Sequence, residues 1–336
     1  MTDFMKKVVI PLLIVCALFV YKANSSIKVL RSTWSSGTIA ARPEVVAFGG
    51  QALALNAVDR FVNYFAVIWP ALAFGVLIGA AVRTFVSPGW FAGFAIKKPV
   101  TAQLTAGLAG APLMLCSCCV APVFTSVAET SGRLGPALGL LLASPVLNPA
   151  ALALTFMLFD SRIAAIRLVL ALTAVLVIGP VIERLFRDVR YEKSRNGALP
   201  DDPVDENVLS KFAKSLAAVS FRTIPALIVG VVVSMLIVES LPAGFFASPG
   251  ARVAAILITA TLAVPLALPT FLEIPLSLSL LAAGFPAGAA VALLFAGPAI
   301  NLPSLLSIAR VSGWKIAAMV AVLVWVLAAA GGLLAG

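Results

Sequence analysis

Three cysteines within four positions are the residues of this chain best suited to chemistry. Cys116, Cys118 and Cys119 lie in the stretch Pro112-Leu-Met-Leu-Cys-Ser-Cys-Cys-Val-Ala-Pro122. Thiolates are soft ligands that favour soft metals and metalloids, and a cluster this tight does not form a disulfide framework. We predict that these thiols and Ser117 contact a substrate, whereas the lone Cys16 is interpreted as a small apolar residue.

One acidic residue stands alone in the second half of the chain. Glu273 is the only charged residue between Arg252 and Arg310. A carboxylate in an apolar region of membrane length is costly, which makes it a functional hypothesis by default. We predict that Glu273 accepts a proton coupled to transport or pairs with a cation; the alternative is an interfacial residue that reaches water. Arg162 and Arg167 begin a spanning segment and are interpreted as interfacial anchors.

Two asparagines follow proline pairs at matching places. They end the stretches Ser144-Pro-Val-Leu-Asn148 and Gly297-Pro-Ala-Ile-Asn301. A proline inside a spanning helix frees a carbonyl group, and a nearby amide can satisfy it. Asn148 and Asn301 are therefore predicted either to contact the substrate or to satisfy the freed backbone.

The composition shows which elements must carry these side chains. Of the 336 residues, 61% are hydrophobic and only 11% are charged, against roughly a quarter charged in an ordinary soluble domain. Several apolar runs reach the roughly 20 residues that span a bilayer. We predict an all-α polytopic membrane protein of the plasma membrane, the bacterial inner membrane. The net charge of +10 lies mostly between apolar runs, which indicates topology signals and not nucleic-acid binding.

The chain divides at one long hydrophilic linker. Residues 1–60 are predicted to form an N-terminal helix, with its apolar run at Val8–Tyr21, and an extramembrane segment. Residues 61–182 form a first transmembrane repeat, residues 183–220 a cytoplasmic linker, and residues 221–336 a second repeat. The predicted unbroken spans are Phe61–Val82, Ile163–Ile182, Ile224–Leu241 and the segment from Ile316 to the C-terminus.

An internal repeat is the strongest pattern in the sequence. At an offset of 153 residues, twelve of the 37 positions from 112 to 148 are identical. Matches of Pro, Gly and Asn carry the most weight because these residues mark backbone geometry. Each repeat is predicted to hold a proline-broken segment, with structural breaks at Pro112, Pro122, Pro145, Pro265, Pro275 and Pro298.

The orientation of the repeats depends on how the broken segments cross. If each segment is re-entrant, every repeat crosses three times and the second repeat is inverted; this arrangement places 16 of the 24 Lys and Arg residues in the cytoplasm, as the positive-inside rule favours. If each segment crosses twice, the repeats are parallel. We favour inversion. Paired broken segments point to a substrate site near the midplane.

The motifs resemble those of a known family. Cys116-Ser-Cys-Cys-Val-Ala-Pro122 with Ala143-Ser-Pro-Val-Leu-Asn-Pro149, and Gly284-Phe-Pro-Ala-Gly288 with Gly297-Pro-Ala-Ile-Asn301, are similar to the predicted-permease family that includes the trivalent organoarsenical efflux permease. The resemblance covers roughly residues 60–335. It implies an inner-membrane permease in which Cys116, Cys118 and Cys119 recognise the solute. The family usually shows Cys-Ser-Cys-Gly, and Cys119 here replaces that glycine.

These observations predict a secondary carrier that exports a soft, thiol-seeking solute such as a trivalent organoarsenical, by proton antiport. No Walker A motif supports a built-in ATPase, and we expect no enzymatic activity, no cofactor, no resident metal and no nucleic-acid partner. One alternative is a permease for another metal or sulfur compound. Another is a thiol–disulfide oxidoreductase, since Cys116-Ser-Cys-Cys119 is a Cys-x-x-Cys motif, although the second repeat has no cysteine.

Overall fold

Helices form all the regular structure in the part of the chain that the structure describes. The structure is a computed structural model and describes residues 2–39, 57–85, 99–186, 208–239, 252–282 and 284–336. The predicted all-α class is confirmed. The helices are α1 (Thr2–Ser36), α2 (Ala57–Phe85), α3 (Pro99–Gly110), α4 (Ser117–Ser131), α5 (Leu134–Val146), α6 (Pro149–Leu158), α7 (Ser161–Leu185), α8 (Val208–Glu239), α9 (Arg252–Ala263), α10 (Glu273–Ala282), α11 (Ala287–Ala299), α12 (Leu302–Ser312) and α13 (Trp314–Ala335).

Several of these helices can cross a membrane. Four described segments are long and apolar enough to do so: Pro11–Ser36, Phe61–Phe85, Ser161–Leu185 and Trp314–Ala335. The pairs α5–α6 and α11–α12 bend by 41° and 47° and add up to two more spans. The chain is therefore a multi-pass membrane protein, consistent with the bacterial inner membrane. The predicted span Ile224–Leu241 is helical as far as Glu239, and its last two residues lie outside the described ranges.

The helix boundaries repeat with the sequence period. Helices α3 and α9 begin 153 residues apart and end 153 residues apart, and so do α5 and α11. A close helix crossing repeats as well: a Cβ on Gly179 would lie 2.6 Å from the Gly135 carbonyl oxygen, and a Cβ on Gly288 would lie 2.2 Å from that of Gly332. The same small residues therefore allow the same backbone approach in each half.

Each half contains a helix break at the first of its predicted break prolines. Pro112 lies in the 3₁₀ turn Ala111–Leu113, after which Met114 adopts a left-handed conformation with φ of 50°. In the second half, Pro265 follows the end of α9, and Phe271 has φ of 76° just before α10. Non-glycine residues rarely adopt this conformation, which clusters at functional sites.

Two of the predicted proline breaks are wrong. Pro122 lies inside α4, which continues to Ser131, because a proline can remove one helical hydrogen bond without ending the helix. Pro275 is the third residue of α10, where the backbone N–H has no intrahelical acceptor to lose. Pro145 and Pro298 are the penultimate residues of α5 and α11, immediately before the two bends.

The N-terminal helix is longer than its apolar run. Helix α1 continues past Tyr21 to Ser36 and packs against α2 and α6. Ser26 and Thr33 are buried, so these polar residues lie against protein. The predicted extramembrane segment beyond Ile39 lies largely outside the described residues, as does most of the predicted linker, of which α7 and α8 supply the two helical ends.

Helix α4 packs closely against α2. A Cβ on Gly75 would lie 2.0 Å from the carbonyl oxygen of Cys119, and a Cβ on Gly79 would lie 2.8 Å from that of Pro122. Only glycine permits this backbone approach. The pair Gly75 and Gly79 therefore fixes the position of the helix that begins at the cysteines.

Candidate functional site

The three thiols of the broken segment form a buried triangle. The Sγ atom of Cys116 lies 3.1 Å from that of Cys118 and 2.8 Å from that of Cys119, and the last two are 3.8 Å apart. All three cysteines are free. Sulfur atoms bound to one central atom at about 2.3 Å and near right angles lie about 3.3 Å apart. The described residues hold no other such cluster of Cys, Asp or Glu, and this one matches a three-thiolate site.

The break in the backbone brings the thiols together. Cys116 precedes α4 in an extended conformation, with φ of −70° and ψ of 160°, so its side chain need not follow the helical spacing of Cys118 and Cys119. The Ser144 hydroxyl accepts a hydrogen bond from the Leu115 N–H at 3.0 Å and donates one to the Leu115 carbonyl oxygen at 3.2 Å. Ser117, which we also predicted at the site, is buried as the first residue of α4.

A tyrosine that the sequence analysis did not select completes the cluster. The Tyr64 hydroxyl lies 3.3 Å from the Cys118 Sγ, and Tyr64 is completely buried in α2. No local motif in the sequence marks this residue. It reaches the thiols because α2 packs directly on α4.

Glu273 forms a buried ion pair with Arg167. The Arg167 Nη2 donates a hydrogen bond to the Glu273 Oε1 at 3.0 Å, and the two side chains are 1% and 3% exposed. The interpretation of Arg167 as an interfacial anchor is therefore wrong. Glu273 is buried, whereas the interfacial alternative required it to be exposed. A buried carboxylate needs a counter-charge. In the sequence, this need indicates a basic partner within an apolar segment, and Arg167 is such a residue.

The ion pair also joins both halves of the chain. Arg167 on α7 donates a second hydrogen bond, from Nη1 to the Thr155 hydroxyl on α6, whereas Glu273 begins α10 in the second half. The first repeat has Val120 at the position 153 residues before Glu273. The carboxylate is therefore unique to one repeat, as the thiols are to the other.

Both predicted asparagines cap helices. The Asn148 Oδ1 accepts hydrogen bonds from the Ala150 and Ala151 N–H groups at the start of α6. The Asn301 Oδ1 accepts one from the Ser304 N–H, and the Ser304 hydroxyl in turn accepts one from the Asn301 N–H. Both Nδ2 atoms are buried with no hydrogen-bond partner among the described residues, so each amide keeps a donor available.

Cys116 lines two cavities. A cavity of about 10 Å³, enough for about one water molecule, is lined by Cys116, Asn148 and Glu273, among others. A larger cavity of about 410 Å³ is also lined by Cys116, together with Thr270 and Phe271. Cys116, Asn148 and Glu273 therefore border one small cavity, and Cys116 also borders the larger one, whereas Asn301 caps a separate helix.

The chain is similar to known proteins of one kind. A profile described as a predicted permease matches residues 53–336. The chain is 28% identical to the UPF0718 protein YraQ of Escherichia coli (strain K12) over 281 residues, covering 79% of this chain and 78% of that protein. It is 22% identical to the UPF0718 protein MJ0584 of Methanocaldococcus jannaschii over 327 residues, covering 77% of this chain and 88% of that protein. No solved structure matches the chain.

Proposed function

The chain belongs to the predicted permease family, and on this premise we propose that it is a secondary transporter and not an enzyme. It exports a soft, thiol-seeking solute, such as a trivalent organoarsenical, in exchange for protons. The single observation that carries the substrate class is the triangle of buried thiols at Cys116, Cys118 and Cys119. A broken helix in a membrane is tolerated where it lines a protein cavity, and here Cys116 lines such a cavity.

The chemistry at the thiols is ligand exchange without a change of oxidation state. A trivalent arsenic hydroxide binds when each sulfur forms a bond to arsenic and one hydroxide leaves. The thiol proton combines with that hydroxide, so one water molecule is released for each bond. A methylated arsenical engages two thiols in this way, and inorganic arsenite engages three. The reverse exchange releases the solute on the other side.

Glu273 supplies the proton coupling in this proposal. Protonation removes the negative charge that faces Arg167 at 3.0 Å and so weakens a contact between the two halves. Because Glu273 and Cys116 border the same small cavity, this change can reach the thiol site. In this proposal the two halves of the 153-residue repeat have opposite orientations and rock about the site, as in other carriers with broken helices.

Transport into everted membrane vesicles tests the proposal. Vesicles that contain the native protein should accumulate trivalent methylarsenic when a proton gradient is present and lose this uptake when the gradient is dissipated. Cys116→Ser combined with Cys118→Ser, which leaves one thiol, should abolish uptake, whereas Cys16→Ser should retain it because Cys16 is exposed and is not part of the cluster. Glu273→Gln should abolish the gradient dependence. Absence of uptake by correctly inserted native protein would remove the arsenical assignment and leave a permease for another metal or a sulfur compound.

The separation of Cys116 and Cys119 also favours the oxidoreductase alternative. Their Sγ atoms are 2.8 Å apart, so a disulfide between them needs only a small movement. A protein that works in this way would form a mixed disulfide with a thioredoxin-like partner, and Cys119→Ser would trap it. Recovery of such an adduct, together with no transport, would favour the oxidoreductase over the permease.

A further inference from the structure

Helix α1 builds one wall of the larger cavity, which we call the entrance cavity. Residues Tyr21 to Thr33 of α1, with Thr38 and Ile39 just beyond its end, contribute more than half of the lining, and the middle of α2 and the loop before α10 contribute most of the rest. The family profile begins only at residue 53. This wall therefore comes from a part of the chain that lies outside the match, and it is docked in place: Ser26 is buried and its hydroxyl lies 3.7 Å from the Met114 sulfur.

The chemistry of this wall is basic and rich in hydroxyl groups. Lys22 and Lys28 line the entrance cavity together with Ser25, Ser32 and Thr33, and no carboxylate is among the described residues that line it. Cys116 also lines the cavity, whose volume of about 410 Å³ is within the range of small-molecule sites. Two lysines beside a partly enclosed cavity concentrate anions in it.

We propose that α1 makes the thiol site selective for soft solutes that carry a negative charge. Lys22 and Lys28 draw the anion into the entrance cavity, the hydroxyl groups hold its polar atoms, and the soft atom then meets Cys116. This inference rests on the proposed function for the thiols. It adds that the solute is negatively charged and that α1 recognises this charge. The solute class is a trivalent arsenic, antimony or similar compound with an anionic substituent or an anionic thiol ligand.

Two matched probes separate charge from thiol affinity. Phenylarsenous acid is neutral at pH 7, and its para-carboxy derivative carries one negative charge with the same arsenic group. The native protein is held in nanodiscs of zwitterionic lipid and titrated with each probe. Occupancy is read by mass spectrometry as the protection of Cys116, Cys118 and Cys119 from alkylation, which requires no transport assay.

The native protein should bind the carboxylated probe roughly tenfold more tightly than the neutral one, and the preference should fall as salt screens the lysines. Lys22→Gln with Lys28→Gln should abolish this preference and leave the affinity for the neutral probe unchanged. Lys22→Arg with Lys28→Arg should restore it. Arg31→Gln is the matched control, because Arg31 is exposed on the same helix and is not part of the cavity wall.

Three results would overturn the inference. Equal affinity of the native protein for the two probes would remove the charge selection while leaving the thiol site intact. A preference that survives the double glutamine substitution would place the selecting charge elsewhere. A preference present in zwitterionic discs but absent in discs with phosphatidylglycerol would identify a lipid headgroup as the occupant. If neither probe protected the thiols, the proposed function itself would fail.

Discussion

Arg167 and Glu273 form an ion pair at 3.0 Å between side chains that are almost completely buried. They lie 106 residues apart in the sequence and belong to different repeats. Two ions removed from water are stabilised only if each faces the other with good geometry. This pair therefore commits the two halves to one relative position for as long as both charges remain.

Removal of one partner of this pair should be strongly destabilising. Arg167→Met leaves the Glu273 carboxylate buried without its counter-charge, which should lower the free energy of unfolding by about 3–5 kcal/mol. Arg167→Met combined with Glu273→Leu should recover most of that loss, because no charge remains buried. Thermal unfolding of the purified proteins in one detergent measures the difference. Simple addition of the two single effects in the double variant would contradict the pairing.

The third thiol should decide between inorganic and methylated arsenic. Cys119→Gly restores the residue that the family motif usually has and leaves two thiols, which suffice for a methylated arsenical but not for arsenite. Affinity for arsenite should fall by more than about tenfold, since even the loss of a group that only orients a ligand costs about that much. Alkylation protection followed by mass spectrometry measures both affinities. Equal losses for the two solutes would show that Cys119 is not a ligand.

Replacement of each asparagine by serine should affect stability equally little but affect transport differently. Serine caps a helix about as well as asparagine, so Asn148→Ser and Asn301→Ser should each change the free energy of unfolding by less than about 0.5 kcal/mol. Only Asn148 borders the small cavity with Cys116 and Glu273. Its substitution removes the free Nδ2 donor and should lower transport roughly tenfold, the value of one hydrogen bond to the solute.

The comparison between these variants is internally controlled. Thermal unfolding reports the capping role, and vesicle uptake reports the contact with the solute. If Asn301→Ser impaired transport as much as Asn148→Ser, the amide effect would be structural and not local to the small cavity.

The contact of α2 with α4 should not tolerate a methyl group. In Gly75→Ala the new Cβ would lie 2.0 Å from the Cys119 carbonyl oxygen, so the two backbones must separate. We expect a loss of about 3 kcal/mol in the free energy of unfolding and weaker protection of the thiols. Gly107→Ala is the control, because its nearest atom is the movable Val175 Cγ1 at 3.0 Å. A loss in Gly107→Ala as large as in Gly75→Ala would argue against this contact.

The sequence by itself determined the class of protein and its repeating plan. Apolar runs of membrane length can only be satisfied by helices that bond their own backbone. The Pro, Gly and Asn matches mark local backbone geometry, so the offset of 153 residues reappears in the helix boundaries. The position of the cysteines at the end of the first break could be predicted for the same local reason. Pro122 and Pro275 were misjudged because the effect of a proline depends on its place within the helix.

Tertiary structure alone decided which distant side chains meet. Arg167 begins an apolar helix as an anchor would, and only the packing of α6, α7 and α10 brings it to Glu273. Tyr64 reaches Cys118 because Gly75 and Gly79 let α2 approach α4. Among the polar residues of α1 beyond Tyr21, Ser26 and Thr33 are buried against other helices. Contacts between segments far apart in the chain depend on how whole helices pack, and no local pattern of residues specifies that packing.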